Sequence, residues 1–169
     1  RSADSLSGIL TELLEISRFD AGAVQSCPAP VPVAEIFHRI DTEFSPLARV
    51  KGLRFKFFFP QKGLVLHTDQ KMLLNLLRNL IDNVAMRRHG DRALIQVWDT
   101  GIGIAPEHIE AIFDEYFQVG NPQRDRAKGL GLGLSIVRRL AKALGCQVSC
   151  RSRPGKGSVF EFQVPLLDP

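Results

Sequence analysis

The sequence predicts a two-layer α/β sandwich, a mixed sheet of about five strands covered on one face by three helices. Two observations predict it. Apolar residues recur at helical spacing in 33–50, in 70–83 and again from Gly133 onward. Short runs with strand composition fall between and after them, each bounded by glycine, proline or Asn/Asp turns. With 169 residues, 44% of them hydrophobic and 24% charged, the chain is an ordinary globular one, long enough for a single core. Its apolar runs are far shorter than a membrane span, and no secretory signal pattern opens it. Cys27, Cys146 and Cys150 fit neither a disulfide framework nor a metal spacing and read as small packing residues in a reducing compartment. The net charge of +4 could suggest nucleic acid, but basic residues cluster only at 124–128 and 151–156 and aromatics do not interleave with them. No nucleic-acid partner is expected.

In chain order, residues 5–19 carry a helical stripe, Leu6, Ile9, Leu10, Leu13, Leu14 and Ile16, closed by Asp20-Ala21-Gly22. Pro28, Pro30 and Pro32 make an extended linker, since proline excludes a helix there. Val33 to Val50 is amphipathic, with Ile36, Phe37, Ile40, Phe44, Leu47 and Ala48 on one face. Leu53–Phe59 and Val65–His67 read as strands around a turn at 60–63. Thr68-Asp69 can cap a helix from Gln70 to about Asn83, whose apolar face is Met72, Leu73, Leu76, Leu77, Leu80 and Ile81. Val84 to His89 and Ala93 to Trp98 read as a hairpin through Gly90-Asp91. Pro106 opens a helix through Ile112, and 119–128 is a polar loop with too little apolar surface to pack firmly. Strands Gln147–Ser152 and Ser158–Val164, joined by a turn at 154–157, close the chain before a tail, Leu166 to Pro169.

Three groups carry chemistry. Asp99 ends a strand and is followed by Gly101 and Gly103, which permit positive φ and the close approach of a flat ring. Alone, this pattern reads better as a turn aspartate capping its own backbone; opposite an adenine amine, the carboxylate would find a donor. Gly129-Leu130-Gly131-Leu132-Gly133-Leu134 opens a helix, whose free N–H groups and dipole favour phosphate. It fits neither the Walker nor the dinucleotide fingerprint. Asn79 and Asn83, four apart, would point from one helix face. They read either as solvent-facing amides or as hard oxygen donors for Mg²⁺ beside phosphates.

In order and spacing these groups, with Phe113 and Phe117, resemble the catalytic, ATP-binding domain of sensor histidine kinases, within the wider group of gyrase, chaperone and mismatch-repair ATPases. The resemblance covers Leu6 to Leu166 and implies a domain plan: 1–22 as the end of the second dimerisation-hairpin helix, 23–32 as linker, 33–169 as the ATP-binding domain. It implies ATP and Mg²⁺ as cofactors, with Asn83 as metal ligand and Asn79 beside the phosphates. The nucleotide-binding set it implies is Asp99, Gly101, Gly103, Phe113, Phe117, Lys128 and Gly129 to Leu134, with Gly155 and Gly157 near the adenine pocket. Phe113 and Phe117 would anchor a lid over 119–128, where Arg124, Arg126 or Lys128 could fold over the triphosphate. The implied reaction is transfer of the γ-phosphoryl group to a histidine of the dimerisation domain, for relay to the aspartate of a response-regulator receiver domain, in a homodimeric, cytoplasmic kinase open to anchoring in the inner membrane.

His38, His67, His89 and His108 lack the phosphoacceptor context, so this chain would act on a supplied hairpin. Asn79 separates two reactions, because an amide cannot take a proton from water as the glutamate of the related ATPases does. That leaves a related ATPase and a non-catalytic nucleotide- or partner-binding module as alternatives. The sequence also departs from the pattern: roughly a dozen residues, a helix end, a loop and half a strand, are absent between Asn83 and Val84. The basic residue expected there has no assignment.

Overall fold

Strand alternation builds the sheet. In the computed structural model, which describes residues 10, 13–14, 16–19, 21–50, 57–58, 63–80, 83–119 and 131–167, five strands form one mixed sheet: β2 (Phe57–Phe58), β4 (Asn83–His89), β5 (Arg92–Trp98), β6 (Ser149–Arg153) and β7 (Gly157–Pro165). Their order is β2-β4-β5-β7-β6, with β2 parallel to β4 and every other pair antiparallel. The rows Met86–Ile95–Phe162 and Val97–Phe160 are buried, so one face of the sheet is continuously apolar.

Three helices lie in the same core: α1 (Val33–Val50), α2 (Gln70–Leu80) and α3 (Gly133–Ala143). The 3.6-residue period decides which side chains go in: Ile36, Phe37 and Ile40 of α1, Met72, Leu73, Leu76, Leu77 and Leu80 of α2, and Ile136, Val137 and Leu140 of α3 are buried. Each such leucine contributes about 1.5–3 kcal/mol on leaving water. Asp69 caps α2 as expected, its Oδ1 accepting the Met72 N–H at 3.0 Å, while its Oδ2 accepts the Cys27 N–H at 3.0 Å.

Four elements differ from expectation. The Pro28–Pro32 stretch is extended, but its last four residues form β1 (Ala29–Pro32), antiparallel to β3 (Val65–Thr68) in a two-stranded sheet, an edge position that tolerates proline. Helix α2 stops at Leu80 rather than Asn83. Asn83 already opens β4 opposite Trp98, because the apolar alternation of that strand draws the chain into the sheet two residues after the helix. Residues 106–113 form two 3₁₀ turns, Pro106–His108 and Ala111–Phe113, not one α-helix; so short a segment gains too little from propagation to offset α nucleation. The final strand pair is shifted slightly, with β6 at Ser149–Arg153.

The described positions from 10 to 19 are helical, with Leu10, Leu13 and Leu14 exposed and Ile16 buried; Ser5 to Ile9 lie outside the described residues, as do all but two residues of 53–59. Among the described residues no helix is long and apolar enough to cross a membrane. The three cysteines are free: Cys27 exposed, Cys150 half-buried, Cys146 buried.

Candidate nucleotide-binding site

Asp99 stands just past the end of β5, half-buried, its N–H donating to Ser158 O on β7 at 3.0 Å. Its Oδ1 accepts the Gly101 N–H at 2.7 Å, the capping turn that the bare Asp-x-Gly pattern suggests. That bond orients the carboxylate without neutralising it, and no cation pairs with Asp99 among the described residues. Burial, with the Asp99 charge adding to it, pushes the Cys150 thiol up to about 11. A carboxylate so held wants a neutral donor such as an exocyclic amine.

The loop after Asp99 rests directly on the β6–β7 hairpin. Gly103 has φ +70°, and a Cβ there would lie 2.0 Å from Arg153 O; Gly157, φ +89°, would place one 2.0 Å from Asp99 O. Glycine is required on both sides because two backbones touch. Gly155 N–H donates to Ile102 O at 2.7 Å across the same contact. Thus Asp99, Gly101, Gly103 and the 154–157 turn, widely separated in sequence, form one unit.

The second unit joins α2 to α3. Asn79, in the last turn of α2, donates from Nδ2 to Asn75 O at 2.9 Å and to Asn75 Oδ1 at 3.2 Å. Its Oδ1 lies 3.5 Å from where a Cβ of Gly133 would sit, so the amide oxygen faces the first turn of α3. Gly133 begins that helix, and its N-cap Leu132 makes no side-chain cap bond, the arrangement in which helix N-terminal N–H groups can receive a ligand. Ser135 Oγ donates back to Leu132 O at 2.8 Å, and Leu132 is buried. An amide oxygen beside a helix N-terminus suits a triphosphate with a hard cation, so Asn79 fits Mg²⁺. Asn83 does not share its helix: it is the first residue of β4.

The third unit closes the loop between them. Tyr116, at φ +62°, donates its N–H to Gly131 O at 3.1 Å, and a Cβ on Gly131 would lie 2.8 Å from Phe117 O, so both ends of 117–131 are tied together. Arg139 of α3 pairs with Glu115 beside this knot. Phe117 packs on His108, ring centroids 5.5 Å apart, and Phe113 meets Phe160 edge-on at 6.3 Å. Phe160 is the ladder partner of Val97, two residues before Asp99, which connects the Phe113 turn to the Asp99 loop. Lys128, Gly129, Leu130, Arg124 and Arg126 lie outside the described residues; Leu134 is half-buried against the core. Sequence reasoning missed Asn75, Tyr116, Ser152 and Ser158, whose partners lie across the fold or carry no motif.

Residues 68–168 match the family described as histidine kinase-, DNA gyrase B-, and HSP90-like ATPase. The chain is 29% identical over 177 positions to the sensor histidine kinase RcsC of Escherichia coli, a match covering 98% of this chain and 19% of that protein. It is 30% identical over 183 positions to the sensor histidine kinase GacS of Pseudomonas protegens, covering 98% and 20%. It thus spans about one fifth of the length of these curated relatives. Both matches run over more positions than the chain has residues, so these relatives carry positions that it lacks. Among solved structures, full-length ShkA in complex with AMPPNP superposes with a TM-score of 0.83 at 27% identity, over 99% of this chain and 37% of ShkA. With more than half of its residues in the family match, the chain belongs to the histidine kinase-, DNA gyrase B- and HSP90-like ATPase family.

Proposed function

We propose that this chain is the ATP-binding catalytic domain of a sensor histidine kinase, presenting the γ-phosphoryl group of ATP to a histidine on a dimerisation domain, for relay to a response-regulator aspartate. The observation that carries the reading is the Asn79 amide, whose Oδ1 faces Gly133 at the N-terminus of α3 while its Nδ2 donates to Asn75. An amide there can offer an oxygen to a metal beside phosphates but cannot deprotonate water, which favours transfer to a positioned acceptor over hydrolysis.

In this reading Asp99 receives the adenine amine, its geometry fixed by Gly101 and the β6–β7 hairpin. The N-terminus of α3 and Gly133 receive the phosphates, and Lys128 or a neighbouring lid cation completes the charge balance. Mg²⁺ bound with the triphosphate would neutralise charge as the phosphoryl group leaves; Asn83, at the start of β4, and Asn79, whose Oδ1 faces Gly133, are the proposed ligands. Phe113 and Phe117 keep the lid base apolar, and residues 1–22 end the dimerisation helix of a homodimeric kinase working in the cytoplasm.

Calorimetry with a non-hydrolysable ATP analogue, with and without Mg²⁺, tests the reading on the wild type and on Asp99→Asn. Loss of the charged acceptor lowers affinity about ten- to hundredfold, and metal raises wild-type affinity. Labelled phosphate should then pass to a supplied histidine-bearing hairpin domain. Binding indifferent to both metal and substitution would overturn the kinase assignment in favour of a partner-binding module; steady phosphate release without acceptor would move it to an ATPase.

A further inference from the structure

The hydroxyl of Ser152, on β6, is bonded on every side. It accepts the Ile104 N–H at 2.8 Å, donates to Gly157 O at 2.8 Å and lies 3.0 Å from Ser158 Oγ. A hydroxyl has one proton and two lone pairs. Since the proton goes to Gly157 O, the buried Ser158 hydroxyl must be the donor in the third bond. The proton order is therefore Ser158 to Ser152 to Gly157.

The three partners are the parts that place Asp99. Ile104 ends the loop that begins at Asp99; Gly157 is the residue whose missing Cβ lets Asp99 O approach; Ser158 O accepts the Asp99 N–H. The Gly155 N–H to Ile102 O bond, 2.7 Å, holds the middle of the loop. Among the described residues, Ser152 joins the far end of the loop to both residues that hold its near end. We propose that Ser152 is a positioning residue for base recognition: its hydroxyl locks the 99–104 loop onto the hairpin so that the Asp99 carboxylate stands ready for an adenine amine. The inference rests on the nucleotide reading above and adds to it a residue that touches no ligand.

The test is displacement of a fluorescent ATP analogue by ATP and by GTP on the whole chain, in wild type, Ser152→Ala and Ser152→Thr. Removing the hydroxyl leaves the Ile104 N–H without its acceptor and loosens the loop. Ser152→Ala is expected to bind ATP about tenfold more weakly with GTP affinity little changed, so the ATP-to-GTP ratio falls; Ser152→Thr, which keeps the hydroxyl, stays within about twofold of wild type. A general loss of fold would lower both nucleotides together and leave the ratio unchanged. An unchanged ratio in Ser152→Ala, or a threonine variant as weak as the alanine one, overturns the proposal. A wild type that binds no ATP overturns the nucleotide reading instead, which keeps the two failures apart. If Ser152→Ala does not fold, hydrogen exchange in the wild type decides: an Ile104 amide slowed at least about hundredfold relative to an unstructured one is the expected result, and exchange at the unstructured rate refutes it.

Discussion

Gly103→Ala would strike the contact on which the adenine side is built. Two costs are separable. At φ +70° an L-residue pays about 1–2 kcal/mol for its backbone alone. The new Cβ would also lie 2.0 Å from Arg153 O, whereas real Cβ contacts begin near 3.0 Å, so the hairpin must retreat by about 1 Å. Arg153 O is not free to move, because it accepts the Lys156 N–H at 2.9 Å, and retreat also strains the Gly155 N–H to Ile102 O bond. Losing one or two such bonds costs about 1 kcal/mol each, for a total of about 2–4 kcal/mol. Gly145→Ala is the control: its φ of +68° is nearly the same, but a Cβ there meets nothing within 4 Å. In thermal unfolding followed by circular dichroism, the midpoint should fall by roughly 2–8 °C for Gly145→Ala and by roughly twice as much for Gly103→Ala. Binding of the ATP analogue should fall only in Gly103→Ala. Equal melting shifts, or wild-type affinity in Gly103→Ala, would refute the contact as drawn.

Further outcomes follow from burial and charge. Burial pushes the Cys146 and Cys150 thiols up to about 11 from 9.0, so in the folded state they hold their protons to higher pH than in the unfolded chain. Stability from them is complete below about pH 9 and is lost as pH rises toward 11. Melting at pH 8 and pH 10.5 should show a smaller alkaline loss in Cys146→Ala than in wild type, and at pH 8 a thiol reagent should label exposed Cys27 well before the other two. Leu76→Ala, at a fully buried site on α2, should cost about 2–5 kcal/mol in urea unfolding with nucleotide affinity per folded molecule retained. Asn79→Ala should reduce the gain in analogue affinity that Mg²⁺ confers while leaving metal-free binding within about threefold; an unchanged metal effect would remove Asn79 as the metal ligand.

Periodicity carried most of the architecture because burial has a period. Leu73, Leu76, Leu77 and Leu80 recur at helix spacing and are buried together; Ile95 and Val97 alternate and face the same core. Glycines carried much of the site for a related reason: Gly103 and Gly157 are demanded by backbone contacts that no other residue fits, so they stand out in the sequence even though their partners do not. The 3₁₀ turns at 106–113 were less legible, since a proline start and a few apolar residues suit either helix type.

The two remaining surprises have opposite causes. Ser152 was invisible because a serine on an edge strand is chemically bland, and its role comes from a bond to Ile104, 48 residues away. Asn83 was visible for the wrong reason. Spacing alone puts residues four apart on one helix face, but it holds only while the helix continues, and here β4 pairing with β5 competes from position 83. Seven ladder positions, Asn83 to His89, pair with Trp98 back to Arg92, and Met86 in that strand is buried. Extending α2 by one turn would strip the first of those pairs and gain one helical turn with a single apolar residue, Ile81. The sheet wins, so Asn83 stands in β4 while Asn79 stays in the last turn of α2.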